Sequence, residues 1–285
     1  MTVIAKVVAE IGAVHLGQME RAKELASLAK LCGADYVKFQ KRNPEESVPE
    51  SIKHKPHPNQ IFAYGPTYLE HRKALEFSIE QHLELMSYCQ GIGIKYSSSV
   101  WDMTSAKEIV SLNPDFIKIP SACNQNFKIL EYLLSNYKGD IHISTGMTFD
   151  HEKVRIFDYI KPYPGRFVVY HCTSLYPCPF DKLYLMNIRG MLKLANEYNF
   201  EVGFSNHGYG IAADIAAYVL GATFIERHFV DDRTIRHTDA AASLEPEGLR
   251  KLCRDLKNVA KAMEFSGPEP TAEEMIERAK LRIEE

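Results

Sequence analysis

At 285 residues, with 45% hydrophobic and 25% charged residues, the chain has an ordinary globular composition and can bury a full core. A formal net charge of −3 gives no general pull toward nucleic acid or an anionic membrane, so positive charge that holds an anionic ligand must be local. Six scattered cysteines without a CxxC pair read as reduced thiols, and no window reaches the length of a membrane-spanning helix; together these point to the cytoplasm.

Short apolar runs alternate with helical patterns along the chain. The start, through Val8, lacks a basic n-region and reads as a strand rather than a signal peptide. The strand candidates are Ile4–Ile11, Ala34–Phe39, Ile94–Ser98, Phe116–Ile119, Ile141–Ser144, Phe167–His171, Glu201–Ser205 and Thr223–His228. They lack clean polar alternation, as buried parallel strands do. Ala22, Leu25, Ala26, Ala29 and Cys32 share one helical face. Residues 41–77 hold several prolines, His54, His57 and a Tyr-Gly-Pro-Thr-Tyr stretch, and read as a long loop. It serves either as a lid or specificity element, or as a packing or oligomer contact. Ser78-Ile-Glu-Gln81 is a capping box opening a helix with Leu83, Met86 and Cys89. Val154, Phe157 and Ile160 form another stripe, and Ile211–Leu220 is small and apolar. Glu245-Pro246-Glu247 opens a helix to about Phe265, Ser266-Gly-Pro-Glu-Pro270 breaks it, and Thr271 starts a charged terminal helix. Eight strands alternating with helices predict a single (β/α)₈ TIM barrel over residues 1–285, with an open doubly wound sheet as the alternative.

Catalytic groups of such barrels come from the C-terminal ends of strands. Nearly every predicted strand ends in polar residues: Glu10; Lys38 and Gln40; Ser97 to Ser99; Lys118 and Ser121; Ser144 and Thr145; His171 to Ser174, with Tyr176 following; Ser205 to His207; and Glu226 to His228. Packing alone does not explain a rim of that kind, because buried polar groups without partners are costly. His207 and His228, from adjacent strands, can share one divalent metal and leave positions open for water and substrate. Few thiols lie nearby, so a hard or borderline ion such as Mn²⁺, Mg²⁺ or Zn²⁺ is expected. Lys38 and Lys118 sit in apolar strand contexts and need a counter-charge: a bound phosphate or carboxylate, or an ion pair with Glu10 or Glu226. A Schiff-base lysine is the other option. Hydroxyls at Ser98, Ser121, Ser144 and Thr145 favour an oxyanion site. His15, His54, His57, His71, His82, His142 and His151 read mostly as surface or loop residues, and Trp101 as packing.

Several separate motifs resemble the sialic acid synthase family, of the N-acetylneuraminate synthase type. They are AEIG at Ala9–Gly12 with His15, GADYVKFQ at Gly33–Gln40, LEFS at Leu75–Ser78, FIKIPS at Phe116–Ser121, STGM at Ser144–Met147, HCTSLYPCP at His171–Pro179, GFSNH at Gly203–His207, GATFIERHF at Gly221–Phe229 and DAAASLEP at Asp239–Pro246. The resemblance implies condensation of phosphoenolpyruvate with an open-chain hexosamine, typically N-acetylmannosamine, to a 2-keto-3-deoxy nonulosonic acid and phosphate. It implies a divalent ion on His207 and His228, Mn²⁺ first and Mg²⁺, Co²⁺ or Zn²⁺ after it. Lys38, Ser98, Lys118, Ser121, Ser144, Ser174, Tyr176 and Ser205 would hold phosphoenolpyruvate, while Glu10 and Asp239 would orient the sugar and handle protons. A homodimer is the expected assembly, with no nucleic-acid or membrane partner.

The chain departs from the family pattern in several places. Cys123 stands where members usually carry an acidic, sugar-binding residue. Asn206 replaces a common Asp, and Val14 and Leu16 replace asparagines. Ile235-Arg236-His237-Thr238 replaces a Pro-Gly-Pro stretch. The chain reads as the catalytic barrel without the antifreeze-like C-terminal domain that many members use on the sugar's N-acyl group; Arg236, His237 or residues 41–77 are candidate substitutes. A related synthase with another aldose, or a catalytically silent sugar-binding barrel, are the competing expectations.

Overall fold

Eight strands, too apolar to face water, pair in parallel and in sequence order: β1 (Lys6–Gly12), β2 (Tyr36–Lys41), β3 (Lys95–Val100), β4 (Phe116–Ile119), β5 (Asp140–Ser144), β6 (Phe167–Cys172), β7 (Glu201–Asn206) and β8 (Phe224–His228). In this computed structural model, which describes residues 3–265 and 267–283, β1 also pairs with β8. The sheet is therefore a closed barrel, and the open doubly wound alternative falls.

The pleat sends alternate residues inward and outward. Outward residues such as Val7, Ala9, Val37, Phe39 and Ile117 meet the helix layer in the main core. Inward residues Val8, Tyr36, Phe116, Val168, Tyr170 and Phe224 close the barrel floor as a second cluster. His142 stacks on Phe116 with centroids 3.7 Å apart, and its Nδ1 lies 2.9 Å from the Tyr170 hydroxyl. Gly203 lets that tyrosine fit, because a Cβ there would stand 2.7 Å from its ring. Above the floor the inward positions turn polar: Glu10 is level with Lys38 on one side and with His228 on the other.

The helix Met19–Cys32 buries all five residues of the predicted face, and Pro246–Ala262 packs nearby, with Cys32 Sγ 3.2 Å from the Pro246 carbonyl. Both bonds of the capping box expected at Ser78 and Gln81 are present. Two stripes need correction. Leu83 and Val154 are exposed, and the buried faces are His82, Leu85, Met86, Cys89 and Ile156, Phe157, Ile160.

Residues 41–77 are not one long loop. They contain the short helices Pro44–Ser47 and Glu50–Lys53, the 3₁₀ turn Gln60–Phe62, and the helix Tyr68–Leu75 opened by a Thr67–Glu70 capping box. Pro44 does not break its segment; it occupies the first turn, where its missing N–H costs nothing. His15, His57, His71, His82 and His142 are buried rather than on the surface, whereas His54 and His151 are exposed. The terminal helix Ala272–Leu281 carries a Thr271–Glu274 capping box and no buried residue. Met1, Thr2, Ser266, Glu284 and Glu285, parts of the predicted start, break and end, lie outside the described residues. Among the described residues no helix is long and apolar enough to cross a membrane, and all six cysteines are free.

Candidate active site

The polar inward positions and the loops behind them enclose a cavity of about 280 Å³ at the C-terminal ends of the strands. Glu10, Lys38, Lys118, Ser121, Ser144, Ser174, Tyr176, Ser205, His207, His228 and Asp239 all line it. Two predicted residues do not. Ser98 shares the outward face of β3 with Tyr96 and Val100, and its hydroxyl donates to the Ser99 carbonyl at 3.3 Å. Its neighbour Ser99 faces the cavity and accepts from Lys38 Nζ at 2.9 Å. Cys123 sits behind the wall in the turn Ser121–Cys123, with its thiol toward the Trp101 carbonyl at 3.4 Å. Burial pushes that thiol up to about 11, so it stays neutral.

The two buried lysines are paired with two buried glutamates. Lys38 Nζ contacts Glu10 Oε2 and lies 3.8 Å from Glu226 Oε2. Lys118 Nζ lies 3.0 Å from Glu226 Oε2 and 3.4 Å from the centre of the Tyr170 ring. Gln40 donates to Glu10 at 2.9 Å, and Ser205 to Glu226 at 3.1 Å. Burial draws the Lys118 ammonium down to about 8, only partly offset by Glu226. At Lys38, burial is outweighed by Glu10 and Glu226, and its pKa rises. Burial likewise opposes the charge on Glu226, but Lys118 and Lys38 hold it well below the usual carboxylate range. The ion-pair option for these lysines thus describes the ligand-free chain.

On the β4–β6 side, hydroxyls converge around Gly146. Its N–H donates to Ser121 Oγ at 3.0 Å, and a Cβ there would stand 2.8 Å from that oxygen and 2.3 Å from Ser174 Oγ. The buried Ser174 hydroxyl has no hydrogen-bond partner. An anion entering beside Lys118 would supply one.

The imidazoles of His207 and His228 have ring centroids 5.4 Å apart, and Tyr176 packs on His207 at 4.0 Å. His207 Nδ1 lies 3.0 Å from the Thr173 carbonyl, which assigns its proton there and leaves Nε2 with a free lone pair. Burial, then the neighbouring His228, lowers its pKa to about 3, so the ring is neutral, as a ligand must be. His228 Nδ1 is buried without a hydrogen-bond partner, 3.9 Å from Asp239 Oδ2. Burial favours the neutral form of Asp239, but His228, His237 and the nearby Arg72 and Arg42 hold it down at about 2. Among the described residues no three His, Cys, Asp or Glu side chains converge as a closed cage. The donor set therefore fits a divalent ion held by two imidazoles, with water and substrate completing its shell.

The residues preceding these histidines fix their strands. Asn206 Nδ2 donates to Asp214 Oδ1 at 2.6 Å, and Arg227 donates to Asp214 Oδ2 at 2.6 Å. Arg227 also donates to the carbonyls of Gly208 and Gly210. One buried carboxylate on the helix Ala212–Val219 thus ties the tips of β7 and β8 together.

Residues 25–266 match the NeuB family. The chain belongs to that family. Among curated relatives of this NeuB chain, mouse N-acetylneuraminate-9-phosphate synthase is 36% identical over 257 residues, covering 90% of this chain and 70% of the relative. The N,N'-diacetyllegionaminic acid synthase of Legionella pneumophila is 33% identical, covering 97% and 78%. Among solved structures, the N-acetylneuraminic acid synthetase of Leptospira borgpetersenii superposes with a TM-score of 0.81 at 26% identity, covering 99% of this chain and 93% of that one.

The NeuB cavity also contains Arg42 and Arg72, which the sequence reasoning passed over, and Trp101, which it read as packing; Gln40, Ser99 and Glu226, named there only as polar strand ends or an ion-pair partner, line it too. Gln40 and Arg42 carry a signal that was available, since they continue the inward parity of Lys38 along β2. Arg72 carries none, because it arrives from the helix Tyr68–Leu75 within residues 41–77.

Proposed function

We propose that this chain condenses phosphoenolpyruvate with an open-chain hexosamine, N-acetylmannosamine or a close relative, giving a 2-keto-3-deoxy nonulosonic acid and phosphate. The observation that carries the reading is one cavity holding both Lys38 and Lys118 with the Ser121, Ser144, Ser174 and Ser205 hydroxyls, and the His207–His228 pair. The activities named for the NeuB relatives agree with it.

Lys118, Lys38 and the hydroxyls around Gly146 bind and orient the phosphate and carboxylate of phosphoenolpyruvate. Their present partners, Glu226 and Glu10, keep the lysines extended and dry until the anion arrives. C3 of the enol ester bonds to the aldehyde carbon, whose oxygen takes up a proton. Water then adds at C2 and gives up its proton, and the C2–O bond to phosphate breaks to leave the keto acid. Asp239, a carboxylate beside His228, and Glu10, hydrogen-bonded by Gln40, are positioned to orient the sugar hydroxyls and move those protons. His207 and His228 would hold the divalent ion, Mn²⁺ first among candidates. When bound it supplies Lewis acidity toward the aldehyde oxygen. The six free thiols support a reducing compartment, the cytoplasm.

The test is phosphate release from phosphoenolpyruvate with Mn²⁺ and a panel of aldoses. Release dependent on a hexosamine is expected. No release with any aldose would remove the synthase reading and leave a silent sugar-binding barrel.

A further inference from the structure

The cavity contains a second pair of cations, Arg42 and Arg72, and among the described residues no carboxylate stands within ion-pairing distance of either. Arg42 follows Lys38 and Gln40 on the inward line of β2 and is only 8% exposed. Its guanidinium carbon lies over the Trp101 ring, 3.3 Å from the ring centre, and the group donates to Gln40 Oε1 at 2.8 Å. Arg72 donates to the Tyr68 hydroxyl at 3.2 Å. The Nε atoms of both arginines are buried without a hydrogen-bond partner. Among the described residues neither guanidinium has an ion pair within 4 Å, whereas both Lys38 and Lys118 do.

Burial and then the charge of Arg72 lower the Arg42 pKa to about 9, so the two cations repel in a dry place. Glu76 receives the Arg42 backbone N–H at 3.0 Å, but burial pushes its carboxyl up to about 7, which makes it a partial counter-charge at best. Two adjacent, unpaired guanidiniums lining a cavity are costly unless an anion fills the gap. Their planar forks suit a phosphate better than any neutral sugar hydroxyl.

We infer that Arg42 and Arg72 form a second anion subsite, which selects an acceptor sugar carrying a phosphate monoester. The inference rests on the condensation proposed above, in which the lysines and the hydroxyls around Gly146 already serve phosphoenolpyruvate. Arg42, just past the end of β2, and Arg72, on the helix Tyr68–Leu75, instead act on Asp239, the carboxylate beside His228. The segment leading into that helix is tied to the loop after β8: Arg236 donates to the Ala63 carbonyl at 2.7 Å, and the Tyr64 hydroxyl donates to the Arg236 carbonyl at 2.5 Å. A preformed, braced subsite of this kind recognises the far end of the acceptor while its aldehyde faces the histidines.

The experiment compares N-acetylmannosamine with its 6-phosphate as acceptors, in the wild-type chain and in Arg42→Met, Arg72→Ala and Arg72→Lys, with folding checked by circular dichroism. The expected result is a higher kcat/KM for the phosphorylated acceptor. That preference should fall roughly ten- to a hundredfold in Arg72→Ala, the scale of a charge-assisted hydrogen bond, and partly return in Arg72→Lys. Equal use of both acceptors by the wild type would overturn the inference. So would a rise in the KM for phosphoenolpyruvate, in the arginine variants, that is the same with either acceptor. If the wild type turns over neither, the condensation reading fails on its own. Calorimetry with the hexosamine 6-phosphate then decides the subsite: binding lost in Arg72→Ala supports it, and no binding to the wild type overturns it.

Discussion

Lys118 shows how burial sets chemistry at a single residue. Its ammonium is drawn down to about 8, so it is charged below that pH and neutral above it. Affinity for phosphoenolpyruvate should therefore fall as pH rises through about 8, and Lys118→Met should weaken binding and flatten that step. Equilibrium titration from pH 6.5 to 9.5 checks both; a pH-independent affinity in the wild type would remove Lys118 from the anion site. Gly146 makes a steric prediction. A methyl group there would stand 2.3 Å from Ser174 Oγ, so Gly146→Ala should raise the KM for phosphoenolpyruvate while the melting temperature changes little. The error at Ser98 has the same scale. Ser97, Ser98 and Ser99 are chemically alike in sequence, and a one-residue slip in parity moves a side chain from cavity to helix layer. Nothing local told which serine faced in, because that depends on Tyr96 pointing outward to His82, 2.6 Å away.

At the level of elements, the strands were legible because buried parallel strands are continuous apolar runs; every predicted run overlaps an observed strand. Helix faces were less so. Leu83 and Val154 fit an apolar period but point outward, while Met86, Cys89, Phe157 and Ile160 of the same stripes are buried, joined by Leu85 and Ile156. In residues 41–77 the prolines masked the Thr67–Glu70 capping box, and with it the helix that delivers Arg72. The buried histidines were misplaced for a related reason: His82 and His142 each set Nδ1 against a tyrosine hydroxyl from another element, which sequence does not place beside them. The link between β7 and β8 yields a stability prediction. Asp214→Ala would leave Arg227 charged, buried and unpaired, and should cost about 3–5 kcal/mol in denaturant unfolding. An unchanged midpoint would mean that the carboxylate does not tie the two strand tips.

Across the whole molecule, closure of β1 onto β8 is what makes one site from residues spread between Glu10 and Asp239. The sequence suggested closure through strand count and polar strand ends, but could not exclude an open sheet, since pairing of the first and last strands leaves no local trace. Direct pairing of β7 with β8 brings His207 and His228 together, and each alone resembles a satisfied core histidine. His207→Ala or His228→Ala should lower bound Mn²⁺ after dialysis and abolish turnover; a folded variant retaining both would refute the metal pair. The most direct measurement of the overall chemistry is mass spectrometry of the products formed from a hexosamine acceptor and phosphoenolpyruvate labelled with ¹⁸O at the bridging oxygen. The expected products are one 2-keto acid containing the carbons of both substrates and phosphate that retains the label, because the C2–O bond breaks. Unlabelled phosphate, or phosphate released without a joined keto acid, would contradict the proposed condensation.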